Sequence, residues 1–403
     1  MTLLANPHAD DVDGWVREHL LEVSCDSEVG RSRRFEGTQA AADAALAGLD
    51  IAGYARRRNE VLPVPARGAT GLSPYIRHGL LTLPQVSLAA TSGPAKDRQK
   101  FRDELMWQEY ARHVYARLGR RTRRGLRFEP VVDSDRADDP WERSMACMAA
   151  SVDELEQDGW LVNQSRMWMA SQWTVRHGAD WREGEDRFFA HLVDGSRAAN
   201  RLGWQWTIGA GTGKPYGFSR WQVEKRAPEL CDRCTHRDGC PVEQWPPERT
   251  LPPVHDDGSL STDPDPDATA GPIDVRSTGT PEAVWLTAES LGDGDPALAA
   301  HADLPVVFVF DDPLLRRLRL SSKRLVFLAD RLAELATTRV VEVHLGDPLV
   351  VLGDRPLATT FAPVPGARRL RSQLDVVELH PWPWLVRPNA GAIGSFSAWR
   401  RSR

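Results

Sequence analysis

The stretch VDGSRAANRLGWQWTIGAGTGKPYGF, residues 193–218, decides how this chain reads. A core segment of that length normally carries plain aliphatics. This one carries a carboxylate (Asp194), two amides (Asn200, Gln205), two tryptophans (Trp204, Trp206) and repeated glycines. Just upstream, DWREGEDRFF (180–189) adds Trp181, and GWLVNQSRMWMAS (159–171) adds Asn163, Arg166 and Met167. Large aromatics usually pack cores, yet the chain holds 15 Trp against 5 Tyr, an excess that packing alone explains poorly.

Outward from that stretch, residues 1–250 read as mostly helical. FRDELMWQEYARHVYARLG (101–119) and residues 147–177 place apolar side chains at i, i+3, i+4 and i+7 with charged opposite faces. Residues 251–281 are rich in Pro, Asp, Gly, Ser and Thr and without periodicity, which predicts a linker between domains. Residues 282–403 alternate short apolar runs (AVWL, LPVVFVF, RVVEVHL, QLDVVEL) with helical patterns such as SSKRLVFLADRLAELA, the signature of a parallel α/β sheet. The fold class expected is therefore multidomain, α followed by α/β.

A chain of 403 residues is long enough for two or more domains. Its net charge of −5 excludes a global positive field, so any contact with nucleic acid needs a local patch. ARLGRRTRRGLRF, with six Arg between Arg117 and Arg127, is the candidate, against the commoner reading of a solvated charged face. There is no signal peptide and no apolar run near membrane length, so a cytoplasmic monomer with no membrane contact is expected. Five cysteines, three of them in LCDRCTHRDGCP (230–241), favour a metal site over a disulfide framework.

Taken together, ATGLSPYIRHGLLTLPQV (69–86), FRDELMWQEYARHV (101–114), GWLVNQSRMWMAS and the opening stretch resemble the photolyase/cryptochrome family. The resemblance implies an all-α FAD-binding domain at 1–250. It also implies a Rossmann-like, antenna-type α/β domain at 282–403, which relatives carry first, so the order here resembles a permutation. The charged sequence that usually follows the first strand is replaced by TAESLGDGD (287–295), which leaves an antenna chromophore unassigned.

On that resemblance Tyr54, Thr70, Gly71, Leu72 and Ser73 would line the phosphate side of FAD. For Thr70 and Ser73 an ordinary helix cap before Pro74 is the plainer alternative. Arg166 and Asp194 would form the ion pair over the flavin ring, and Asn200 would face its N5, where an amide suits several redox states; by itself Asn200 also reads as a helix C-cap. Trp204 and Trp181 match the electron relay, with Trp141 as the candidate surface member. Glu104, Trp107, Asn163 and Met167 match positions lining a cavity for a flipped-out lesion, with Trp107 also beside the flavin. Asn163 stands where repair of a (6-4) lesion needs a histidine, which favours a cyclobutane pyrimidine dimer; Gln164 stands where relatives often carry Arg. Cys147 with Cys231, Cys234 and Cys240 resembles the [4Fe–4S] branch of the family, and four thiolates would also suit structural zinc. The implied activity is light-driven repair of UV-damaged DNA by a deoxyribodipyrimidine photo-lyase. A cryptochrome-like photoreceptor and a (6-4) photolyase are the alternatives.

Overall fold

The computed structural model describes residues 2–132, 138–255 and 257–403. The helical half is built on the helix Ala95–Leu118, which starts after Pro94 and ends at Gly119 with φ 51°, a backbone region that favours glycine. Phe101, Leu105, Tyr110 and Val114 form its buried stripe. The helical stretch read at 147–177 is interrupted. Ala146–Asp158 stops at Gly159, φ 65°, and Asn163–Ala170 then runs on into a π-helical turn over Ser171–Arg176. Trp181–His191 and Ala199–Thr207 complete the layer around the opening stretch.

The second half is the expected α/β domain. Its strands are β3 (Ala283–Leu286), β4 (Val306–Asp311), β5 (Val341–Gly346), β6 (Leu357–Thr360) and β7 (Val376–His380). They are parallel throughout, in the order β5-β4-β3-β6-β7. Two antiparallel strands flank them: β1 (Thr2–Leu4) on β5 and β2 (Arg276–Ser277) on β7. β1 corrects the sequence division, because the first residues of the helical half belong to the sheet of the other half.

The expected linker also differs. Apart from Asp256, which lies outside the described residues, 251–281 carries the helix Pro266–Ala270 and β2 and buries Leu251, Leu260 and Ala270. Asp265 caps that helix, and Asp263 meets Arg117 at 3.1 Å. Aperiodic composition reported the missing amphipathic pattern but not the buried ion pair that anchors the segment.

Helix Ser322–Ala336 is buried on nearly all its faces, between the sheet and the helical half. Its polar residues bind across the seam. Asp330 accepts from Arg31 at 3.1 Å and from the Gly37 N–H at 3.1 Å. Arg324 donates to the Phe189 and Gly195 carbonyls. The loop 287–295 docks on the helical half as well, where the Leu291 N–H reaches the His78 carbonyl at 3.0 Å and Arg77 pairs with Glu289 at 2.9 Å. The principal apolar cluster runs across the seam and draws on both halves, with two smaller clusters beside it.

Candidate functional site

Arg166, on helix Asn163–Ala170, and Asp194, in the turn after Trp181–His191, meet at 2.7 Å between Nη2 and Oδ2. Arg166 also donates to the Leu161 carbonyl at 2.9 Å. Asp194 is buried, and its second oxygen, Oδ1, has no hydrogen-bond partner. A buried carboxylate oxygen without a donor is costly, so this atom calls for a ligand donor at that place. Behind the turn Arg324 holds the Gly195 carbonyl, so the α/β half braces the residue next to Asp194.

Asn200 is buried in the first turn of Ala199–Thr207, and its Oδ1 accepts from the Ser196 N–H at 2.5 Å. It is therefore not the C-cap that its place before Gly203 suggested, and its Nδ2 makes no hydrogen bond among the described residues. Gly71 has φ 72°, a conformation glycine supplies freely. Thr70 and Ser73 do not cap the helix Ser73–Arg77: its N-cap is Leu72, without a side-chain bond, and the Ser73 hydroxyl instead accepts from Trp160 Nε1 at 2.9 Å. Tyr54 packs edge-on against Phe101 at 5.0 Å, and burial, with Glu104 nearby, raises its phenol above the usual range.

The residues expected to line a lesion cavity are more engaged than the sequence implied. Glu104 already pairs with Arg58 at 3.2 Å and Lys100 at 2.7 Å. Trp107 lies flat against Phe396 of the C-terminal helix Phe396–Arg401, with centroids 4.3 Å apart and planes 12° off parallel. Asn163 is exposed and touches Met167, with its amide 3.4 Å from Sδ. Gln164 turns inward to the Tyr216 hydroxyl at 3.1 Å, so it does not stand at the surface in place of an arginine. The arginine run is divided: Arg117 and Arg121 pair with Asp263 and Asp257, Arg123 pairs with Asp186, and Arg120 and Arg124 are exposed.

Trp204 and Trp181 are both fully buried with unpartnered indole N–H groups. Trp141 is buried too, with Nε1 donating to the Met169 carbonyl at 2.9 Å, so it is not a surface terminus. The structure adds Trp173, which sequence spacing did not single out. Trp173 and Trp141 are 4.8 Å apart, Trp141 and Phe188 5.4 Å, and Phe188 and Trp204 5.4 Å. Gly184 makes this possible: a Cβ there would fall 2.3 Å from Trp204 and 2.7 Å from Trp173. The glycine inside DWREGEDRFF was the available signal.

Cys147, Cys231, Cys234 and Cys240 line one pocket with Arg220 and His236. Burial foremost, and then the neighbouring sulfurs, push the Cys147 thiol up to about 12; burial takes Cys231 to about 11 and raises Cys240. Crowded thiols resist ionising until a cation compensates them, so the donor set fits a metal group. Four thiolates suit either a tetrahedral zinc or an iron–sulfur cluster. Cys25 stands apart beside Asp26, 3.4 Å away, and is half-buried.

Residues 101–248 match the family described as the FAD binding domain of DNA photolyase. The chain is 30% identical over 203 residues to the deoxyribodipyrimidine photo-lyase of Vibrio cholerae, covering 45% of this chain and 43% of that one. It is 29% identical over 224 residues to a deoxyribodipyrimidine photo-lyase of Thermus thermophilus, covering 51% and 50%. Among solved structures, a class III photolyase from Agrobacterium tumefaciens aligns at 25% identity and a TM-score of 0.42, over 50% of this chain and 44% of that one. The chain spans half or less of the length of these relatives. No helix among the described residues is long and apolar enough to cross a membrane.

Proposed function

Because the chain belongs to the photolyase/cryptochrome family through the FAD-binding domain at residues 101–248, we propose that it is a light-driven DNA repair enzyme that acts on cyclobutane pyrimidine dimers. The observation that carries this is the Arg166–Asp194 pair with its unpartnered buried oxygen, inside the matched domain. Bound, reduced and excited by light, the flavin would supply the electron that opens the dimer and would receive it back.

The chain's own residues do the rest. Asp194 Oδ1 accepts a ring N–H, and Arg166 balances the carboxylate's charge. Asn200, its oxygen tied to Ser196, presents Nδ2 as a neutral donor. Thr70 and Gly71 offer a hydroxyl and an unhindered N–H to phosphate oxygens, with Tyr54, Leu72 and Ser73 walling that side. Trp204 is the first indole of the electron supply, and Trp181, Trp173 and Trp141 stand in the same buried layer. Glu104, Trp107, Asn163 and Met167 would receive the flipped-out dimer, and Asn163 makes the (6-4) lesion the poorer substrate.

Cys147, Cys231, Cys234 and Cys240 would hold a [4Fe–4S] cluster that ties the helix Ala146–Asp158 to the segment after Arg220–Arg226. Iron and sulfide analysis of anaerobically purified protein tests that assignment, and zinc in their place would reject it. For repair, the reduced, flavin-loaded protein is illuminated with dimer-containing DNA. Loss of dimers above the dark control is expected, and no loss would reject the reading. A cryptochrome-like light sensor is the second reading, favoured by the Phe396 ring that already covers a face of Trp107. A sensor would show no preference for damaged over intact DNA.

A further inference from the structure

The α/β half brings together His301, Glu378 and His380. His301 Nε2 lies 2.5 Å and His380 Nε2 2.6 Å from the same oxygen, Glu378 Oε1. The two imidazole rings are nearly perpendicular, with centroids 5.8 Å apart. All three side chains are at least largely buried.

As a purely polar cluster this arrangement is poor. Both N–H groups would have to donate to one carboxylate oxygen, at separations shorter than the usual N–H···O range of about 2.7–3.2 Å. The second oxygen, Oε2, accepts nothing among the described residues. Two imidazole nitrogens converging on one carboxylate oxygen from perpendicular rings instead match a first-row divalent cation, whose ligands are borderline nitrogen and oxygen. With metal–ligand bonds of about 2.0–2.1 Å, tetrahedral N···O separations are roughly 3.3 Å. The side chains need to part by less than about 1 Å to admit the ion.

The backbone that carries the three ligands is held by bonds independent of any ion. Glu378 and His380 are two apart on β7 and so share one face of the strand. The His380 carbonyl accepts from the Phe361 N–H at 2.9 Å. His301 is the residue that ends the helix Pro296–Ala300, which Asp295 caps at its start. Arg339 clamps that end, donating to the His301 carbonyl at 2.8 Å and to the Leu298 carbonyl at 2.9 Å. A donor triad on two fixed elements is already organised for coordination.

We propose that His301, Glu378 and His380 form a binding site for a divalent transition-metal ion, with zinc as the reference ion, that fastens the β3–β4 crossover helix to strand β7. Water completes the coordination sphere. Neither imidazole Nδ1 is held by a carboxylate or carbonyl among the described residues, and such outer partners typically contribute 10–100-fold in affinity. The site is therefore weaker, by about that factor, than one whose imidazoles are so held.

The test uses the full chain with its flavin and thiol-held group in place. Zn²⁺ is titrated calorimetrically, and Co²⁺ is bound in parallel to read the donors from its spectrum. One equivalent of Zn²⁺ should bind, with a Co²⁺ spectrum of nitrogen and oxygen ligands and no thiolate charge-transfer band. His301→Ala and His380→Ala should each weaken binding at least tenfold, and Glu378→Gln, which keeps the shape and removes the charge, should do the same. Failure of wild-type protein to take up Zn²⁺ at micromolar concentrations would overturn the proposal. So would unchanged uptake by the His301→Ala/His380→Ala double variant. Should the variants misfold, the wild-type Co²⁺ spectrum decides alone, because thiolate bands would assign the ion to the cysteine pocket and overturn the site.

Discussion

His113 offers a test of how the two halves are joined. It lies on the long helix Ala95–Leu118, with Nε2 2.7 Å from the Val386 carbonyl and Nδ1 accepting from Trp399 Nε1 at 2.8 Å. Those partners fix the neutral tautomer, with the proton on Nε2. Protonating Nδ1 would set two donors, imidazolium and indole, against each other in a buried place. Burial foremost holds the imidazole down at about 4, against 6.5 when unfolded. The sign follows: the unfolded chain takes up the proton first as pH falls, so this group's stabilisation is whole above 6.5 and is lost between 6.5 and 4. At about 1.4 kcal/mol per unit, the loss between neutral pH and about pH 4.5 is roughly 2–3 kcal/mol. His113→Gln removes the titration while retaining a donor and an acceptor. Urea unfolding of both proteins at neutral and acid pH reads the difference. Wild type should lose its advantage over the variant as pH falls, by that amount. A gap that stays constant with pH would refute both the tautomer and the burial argument.

Three further outcomes are expected. Gly184→Ala should gain about 1 kcal/mol in helix propensity and lose about 1–3 kcal/mol by overpacking Trp204 and Trp173, a net destabilisation accompanied by altered near-ultraviolet circular dichroism; greater stability with an unchanged spectrum would contradict the packing. Cys147→Ser should abolish the visible absorption of the thiol-held group while flavin absorption persists, checked by metal analysis of the variant. Phe396→Ala should uncover Trp107, seen as faster quenching of tryptophan fluorescence by acrylamide, and on the repair reading it should raise rather than lower affinity for dimer-containing DNA.

The sequence shows the parallel strands wherever a β-branched or aromatic run marked them, as in VVFVFD of β4. It hides β6, whose LATT is short and carries no Val, Ile or aromatic residue, and which becomes a central strand only because β3 and β7 lie on either side. Two contacts expected from the family pattern are present: Arg166 meets Asp194, and the four cysteines line one pocket. Contacts across the seam were not legible. Arg324 reads as one charge on an amphipathic helix, yet it is buried against Gly195 because the other half covers that face. Phe396 on Trp107 joins residues far apart in sequence, and spacing carries no signal for such a pair.

Strand β1 has a consequence for how the molecule is made. Thr2–Leu4 is made roughly 340 residues before its partner, Val343–Leu345 of β5. At about 5–20 residues per second the interval is on the order of twenty seconds to a minute. Through that time the helical half folds with Thr2–Leu4 still unpaired. An uncovered edge strand invites pairing with other chains. Strand β1 therefore acts as a late clasp: it can close its edge of the sheet only once β5 has been made, roughly 340 residues after it.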